Sequence, residues 1–237
     1  MRTLIIAIGM LAAAAELPAD TMTTLVGSAS GWYDENSAHF TGNWVAGWNG
    51  ITEDSLEFDE FRSYFVFNLA GLSGVIDSAT LSLYISNYIS QDPSETLGIF
   101  DVTTPIADLE SGIGAFGDLG TGTMFGSAAV STDSIGTRID IDLNAAGIAA
   151  LNAGQNDIAF GGAITTLAKV LGEFPTSCSP PFSPSCQELV VGAGPGSHST
   201  PYLIVGSKVP EPGSVYLFLT VLAGFSIIRF RRAHTPR

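Results

Sequence analysis

The chain is poor in basic residues, and this shortage excludes some classes of partner. It has nine Lys and Arg against 23 Asp and Glu in 237 residues. Residues 20–208 hold four of the basic and 21 of the acidic residues, which gives this segment a net charge of 4 − 21 = −17. Nucleic acids and anionic lipid surfaces are bound through Lys and Arg patches, so we expect neither as a partner. The acidity suits a soluble extracellular protein, or one that meets divalent cations.

Histidine and cysteine are also scarce, and the common catalytic motifs are missing. His39 and His198 are the histidines of this acidic segment, and neither lies in a nucleophile motif. The chain has no Gly-x-Ser-x-Gly elbow and no glycine-rich phosphate loop ahead of a predicted helix. We therefore predict no enzymatic activity and no cofactor beyond a structural calcium ion. A glycan-active enzyme, the rival hypothesis, needs two carboxylates about 5–9.5 Å apart in a cleft.

The two cysteines flank a short Pro/Ser-rich segment. Cys178 and Cys186 enclose CSPPFSPSC, and in an oxidising compartment such a close pair predicts a disulfide that pins a loop. Two sulfurs without a nearby histidine fall short of the four ligands of a structural zinc site.

The N-terminal residues have the pattern of a secretory signal peptide. Arg2 supplies a positive charge, residues 4–14 are apolar, and small residues follow, with cleavage expected after Ala15 or Ala19. We assign residues 1–19 to this signal.

The C-terminal residues have three consecutive features. Val209, Pro210, Glu211 and Pro212 form a short motif, residues 214–228 form an apolar run, and Arg229, Arg231 and Arg232 follow it. The run is short for a membrane span, which needs roughly 20 residues, and the arginines fit a cytoplasmic stop. An ordinary C-terminal membrane anchor is the alternative interpretation.

This arrangement resembles the PEP-CTERM sorting signal of Gram-negative bacteria. The resemblance implies export through the Sec translocon and transient anchoring in the inner membrane. An exosortase, a membrane-embedded cysteine transpeptidase, would then recognise Pro210, Glu211 and Pro212 and release the protein to the cell surface or extracellular matrix. Residues 207–237 would form the sorting signal, with the motif at 209–212, the membrane segment at 214–228 and the basic tail at 229–237.

The intervening segment predicts an all-β fold. Apolar and polar residues alternate over residues 60–68, 78–85 and 138–144, which is typical of antiparallel strands with one buried and one wet face. Two short helices are expected, at 145–152 with Asn144 as N-cap and Gly154 after it, and at 105–110. We predict a single antiparallel β-sandwich of jelly-roll type over residues 20–206, with a linker around 206–208. Further strands are predicted at 23–26, 43–46, 97–102, 127–130, 157–160, 187–191 and 202–205.

Residues 61–85, FRSYFVFNLAGLSGVIDSATLSLYI, resemble a segment of secreted bacterial β-sandwich modules. Such modules include carbohydrate-binding and cell-surface adhesive domains. Segments 92–109, 140–154 and 156–164 also resemble PEP-CTERM proteins whose bodies are uncharacterised. The resemblance extends from residue 31 to 168 and implies family membership without implying an activity.

Two groups of acidic residues are weak calcium candidates, since Ca²⁺ takes carboxylate and carbonyl oxygens. Asp34 and Glu35 form one group, and Asp54 and Glu57 belong to the other, in the acidic segment 53–60. Solvated acidic loops are the alternative interpretation of both groups.

The tryptophans are the remaining functional candidates. Trp32, Trp44 and Trp48 all lie in one early segment, and alternation places Trp44 and Ala46 on one face with Val45 opposite. We expect one tryptophan in the core and one or two partly exposed. The alternative is that all three tryptophans are packed into the core of the sandwich. The sequence thus predicts an exported structural protein of the cell surface or matrix. The alternative is a module that binds matrix exopolysaccharide through exposed tryptophans.

Overall fold

The computed structural model describes residues 19–49, 59–154, 156–167, 187–193 and 200–209. Within them the chain forms eleven β-strands, two short α-helices and one 3₁₀ turn at Thr132–Ser134. The helices are α1 (Ile106–Ser111) and α2 (Ala145–Ala153). The strands are β1 (Ala19–Asp34), β2 (His39–Thr41), β3 (Asn43–Asn49), β4 (Asp59–Asn68), β5 (Val75–Ile89), β6 (Glu95–Asp101), β7 (Met124–Val130), β8 (Arg138–Asp142), β9 (Asp157–Ile164), β10 (Gln187–Ala193) and β11 (Tyr202–Val209).

All strand pairings are antiparallel, and they form two sheets that share β1 and β5. Sheet A contains the first half of β1, then β11, the first half of β5, and β8. Sheet B contains β2, the second half of β1, β4, β9, β6 and β7, and β3 and β10 connect it to the end of β5. β1 passes from one sheet to the other at an irregularity between Gly27 and Ala29, as strands at the corners of sandwiches do. The prediction of a mainly antiparallel, sandwich-like fold is confirmed.

The main core lies between the two sheets and follows the predicted alternation. On β5 the inward residues Leu81, Leu83 and Ile85 are fully buried, as are Phe65 and Phe67 on β4. Burial of large apolar side chains stabilises such a sandwich by about 1.5–3 kcal/mol for each one. The expected strand at 78–85 and six of the other seven predicted strands lie within observed strands. The predictions at 138–144 and 97–102 run past the ends of β8 and β6, which stop at Asp142 and Asp101.

The prediction of one wet face for residues 60–68 is wrong. β4 is buried on both faces because residues 105–119 cross the outside of sheet B and form a second apolar cluster. Leu109 and Leu119 from this segment pack over Tyr64 and Val66 of β4 and Tyr33 of β1. Gly161 on β9 permits this approach, because a Cβ there would lie 2.2 Å from the carbonyl oxygen of Leu119.

Both predicted helices are present. The Asn144 side chain accepts hydrogen bonds from the backbone N–H of Ala146 (2.9 Å) and of Gly147 (3.1 Å), and Gly154 is the C-cap of α2. α1 begins after Pro105, which stands at its N-cap. None of the helices in the described ranges is long and apolar enough to cross a membrane.

The predicted linker around residues 206–208 is wrong. Gly206, Ser207 and Lys208 belong to β11, where they pair with β1 on one side and with β5 on the other. The strand continues to Val209, immediately before Pro210, whose ring nitrogen has no N–H to donate to a neighbouring strand. The segments 1–18 and 210–237, Cys178, Cys186, Asp54 and Glu57 lie outside the described residues.

Candidate functional site

Trp44 belongs to the core and is not available to a ligand. Its side chain is fully buried, and its ring meets that of Phe65 edge-on at a centroid distance of 5.5 Å. The Nε1–H has no hydrogen-bond partner among the described residues. The predicted shared face of Trp44 and Ala46 is confirmed, since both side chains lie in the main core.

Trp32 lies half-buried in an aromatic cluster, which we define as Trp32, Phe40 and Phe61. Its ring stacks on Phe40 of β2 (centroids 5.8 Å apart, 21° between planes) and meets Phe61 of β4 edge-on (5.2 Å, 84°). The indole Nε1–H donates to Asn43 Oδ1 at 3.1 Å, which fixes the ring. Phe40 is 54% exposed, so the cluster presents aromatic surface to solvent. Such a face suits stacking against the apolar face of a pyranose ring.

Trp48 is also half-buried, but its neighbours on the adjacent strands are acidic. It pairs with Glu60 of β4 on one side and with Glu188 of β10 on the other. The two partly exposed tryptophans therefore have different surroundings, aromatic around Trp32 and acidic beside Trp48.

Asp34 shapes a turn. It is buried to 7% exposure, and its Oδ1 accepts the backbone N–H of Ala38 at 2.7 Å, which closes the connection from β1 to β2. Ser37 in this turn has a positive φ of 72°. Glu35, the other candidate of this pair, is exposed.

Three carboxylates converge elsewhere, at a position that the sequence did not predict. One carboxylate oxygen from each of Asp92, Glu95 and Glu188 lies within 4.8 Å of the others. Glu95 is fully buried and accepts hydrogen bonds from Ser90 Oγ at 2.8 Å and from the Thr166 hydroxyl. Carboxylate oxygens at this spacing are the ligands that Ca²⁺ takes. Glu188 is distant in sequence, and only the pairing of β10 with β5 brings it near Asp92.

His39 and two tyrosines attach α1 to the outside of sheet B. His39 Nε2 lies 3.1 Å from the Tyr64 hydroxyl, and the Tyr33 hydroxyl donates to the carbonyl oxygen of Leu109 at 2.7 Å. Burial lowers the pKa of His39 below its usual 6.5. Burial, with the nearby Tyr33 and Glu110, raises the pKa of Tyr64 to about 12. Near neutral pH all three rings are uncharged, which suits a packing role.

No protein-family model matches the chain, and a comparison with curated proteins finds no similar sequence.

Proposed function

We propose that this chain is an exported structural protein of the cell surface or extracellular matrix. It would be sorted by an exosortase through Pro210, Glu211 and Pro212. The observation that carries the proposal is the C-terminal order of this motif, the apolar run 214–228 and the arginines 229, 231 and 232. The proposed role is physical and non-catalytic, and it relies on a stable, acidic sandwich, which we assign to the jelly-roll type.

The pairing of β1 with β11 supports this proposal. Ala19 of β1 pairs with Val209 of β11, so the first residue of one described strand lies beside the last residue of the other. Ala19 is the last residue of the predicted signal peptide and Val209 the first of the predicted motif, so the two predicted targeting signals adjoin neighbouring positions in sheet A. This arrangement suits a body held close to the membrane until its tail is cut.

The described basic residues support the absence of a nucleic-acid partner, because each is engaged within the fold. Arg62 pairs with Glu60 at 2.8 Å and lies over the Phe116 ring. Arg138 donates to the carbonyl oxygens of Ser82 and Thr200, and Lys208 lies 3.0 Å from Asp77. These contacts leave no basic patch among the residues that the structure describes.

The test is fractionation of cells that produce the full chain together with an exosortase. We expect the unaltered protein in the surface or medium fraction, with a C-terminus mapped by mass spectrometry close to the motif. Glu211→Ala should leave the tail uncut and the protein in the inner membrane, whereas Glu110→Ala, which alters an exposed acid on α1, should not. Normal release of the Glu211→Ala protein would contradict the proposal.

A second candidate function, binding of matrix exopolysaccharide, is favoured by the exposed aromatic cluster. Stacking of Phe40 on Trp32 presents the broad apolar surface that pyranose rings contact. The test is retention of the purified protein on the producing organism's exopolysaccharide, in Ca²⁺ and in EDTA. Binding lost in Trp32→Ala and Phe40→Ala but kept in Trp48→Ala would assign it to the cluster. Trp44→Ala is uninformative here because Trp44 is a core residue. Equal retention of all variants would exclude the aromatic cluster as the exopolysaccharide-binding surface.

A further inference from the structure

The first half of β1 forms an edge of sheet A. β11 pairs with residues 19–26 on one side, whereas β4 pairs with β1 only from Gly27 onward. Gly27 N–H donates to the Pro201 carbonyl at 2.8 Å, so residues 25, 23 and 21 are hydrogen-bonded to β11 in turn. The N–H and C=O groups of residues 20, 22, 24 and 26 therefore point away from β11. No described strand pairs with them.

The other sheet edges are protected in ways that discourage pairing with another chain. β2 is only three residues long, and β8 carries exposed Asp140 and Asp142. β7 is covered by the chain that leads into α2: Asn144 donates from its backbone N–H to Phe125 O (2.7 Å) and from Nδ2 to Met124 O (2.8 Å). Short length, charge and a covering segment are the usual protections of sheet edges.

Residues 21–26 of β1, which we call the free edge, have none of these protections within the part of the chain that the structure describes. They contain no charged residue and no proline, and the register with β11 runs through them without a shift. Met22 is 69% exposed and Val26 is 60% exposed. An uncharged, extended edge with exposed apolar side chains stands out on a segment of net charge −17.

We propose that the free edge pairs with the same edge of a second copy of this chain, antiparallel and about a two-fold axis at Thr23. Sheet A of the two copies then forms one continuous sheet. In this register Met22 lies opposite Thr24 of the second copy. The backbone N–H and C=O groups of residues 22 and 24, which point away from β11, then form hydrogen bonds with the second copy. The contact is self-complementary, as a two-fold interface requires.

The free edge itself favours a second copy as the occupant, because a second copy supplies an equally long, uncharged and proline-free edge. Two bodies of the same strongly negative charge repel wherever their acidic surfaces meet. Among the described residues, the free edge is a neutral surface through which two copies approach without opposing carboxylates, and the ion pair of Lys208 with Asp77 lies beside it. An extended segment of a foreign protein is the competing occupant, and the following experiment distinguishes it.

Cysteine cross-linking of the full chain tests this register. Thr23 is exposed and, at the proposed axis, faces Thr23 of the second copy at a non-hydrogen-bonded position. Such pairs have Cα atoms about 4.5 Å apart, which is within disulfide reach. After oxidation, Thr23→Cys should give a dimer on a non-reducing gel. Thr137→Cys, an exposed threonine before β8, and the unaltered chain should give only background.

A second substitution checks that strand pairing holds the dimer. Thr24→Pro removes an N–H that points away from β11, so the pairing within sheet A is retained. Added to Thr23→Cys, it should lower the dimer yield about tenfold, since each copy loses a strand hydrogen bond. A monomer whose introduced cysteine reacts freely with a maleimide would overturn the proposal. So would a cross-link to a different protein, or an equal dimer yield from Thr137→Cys.

Discussion

At the scale of single residues, the sequence predicted that one tryptophan is buried, but neither which one nor what surrounds the exposed ones. Alternation along 43–46 was enough to place Trp44 and Ala46 on one face, because period two follows directly from strand geometry, but it did not show that this face is the core face. The surroundings of Trp32 depend on Phe40 and Phe61, which reach it through two different strand pairings. Local alternation contains no information about such pairings.

Trp44 provides a test of core packing separate from ligand binding. Trp44→Ala should lower the free energy of unfolding by about 3–5 kcal/mol, the usual cost of emptying a large aromatic site. Trp44→Phe should cost clearly less, because it keeps most of the ring and removes a buried N–H without a partner. Urea denaturation of both variants measures the difference. An equal decrease in the free energy of unfolding for the two variants would contradict this explanation of how the Trp44 ring contributes to stability.

Asp118 provides a test of pH dependence. Burial alone would raise its pKa, but hydrogen bonds from the N–H and hydroxyl groups of Thr104 and Thr103 outweigh burial and lower the pKa below 3.8. A carboxylate with a lowered folded-state pKa stabilises the fold above its unfolded pKa and loses this contribution as pH falls through the folded value.

We therefore expect Asp118→Asn to cost about 1–2 kcal/mol at pH 7, given the partial exposure of the group. The difference from the unaltered protein should shrink below about pH 4. Urea denaturation of both proteins at pH 7 and pH 3 measures it. If the difference in free energy of unfolding between the two proteins does not change with pH, the negative charge of Asp118 has no role in stability.

At the scale of elements, the positions of the strands were predictable from the sequence. Whether the outer face of a strand is also buried was not predictable. The residues of β4 alternate as a half-exposed strand would, yet Tyr64 and Val66 are buried because residues 105–119 cross over them. That crossing is held by contacts between distant residues, such as the Tyr33 hydroxyl with Leu109. The same limit applies to Asp92, Glu95 and Glu188, which only the β10–β5 pairing brings together.

Gly47 in β3 tests how closely β10 must approach. Its φ is +127°, and a Cβ there would lie 1.9 Å from the carbonyl oxygen of Glu188 on β10. Gly42 also has a positive φ (+112°), but a Cβ there meets nothing within 4 Å.

Gly42→Ala should therefore cost about 1–2 kcal/mol from backbone strain alone. Gly47→Ala should cost at least about 2 kcal/mol more, because β10 must move away from β3. Thermal unfolding and protease sensitivity of the two variants measure this. Equal destabilisation of the two variants would contradict a close approach of the β10 backbone to Gly47.

At the scale of the whole molecule, composition and alternation predicted the fold class. They did not predict which distant strands pair to close the sandwich. β11, the last described strand, lies between β1 and β5 in sheet A, so residues that are far apart in the sequence must meet. The sequence instead predicts a domain that ends at residue 206, because Gly206 and Ser207 are typical of a linker. Only pairing with β1 and β5 turns those residues into strand.

The net charge of −17 over residues 20–208 makes the stability of the whole fold sensitive to salt. Raising NaCl from 10 to 150 mM shortens the Debye length from about 30 to about 8 Å, which weakens repulsion between distant carboxylates more than contacts such as Glu60–Arg62. We expect the free energy of unfolding to rise by about 1 kcal/mol, which corresponds to an increase in Tm of about 2–4 °C.

Thermal unfolding followed by circular dichroism measures this shift. The double variant Glu110→Gln, Asp133→Asn removes two exposed acids; it should be more stable at low salt and respond less to added NaCl. A fall in Tm with salt would contradict the prediction, because it would mean that attraction within the ion pairs Glu60–Arg62 and Asp77–Lys208 outweighs the repulsion among the 21 acidic residues.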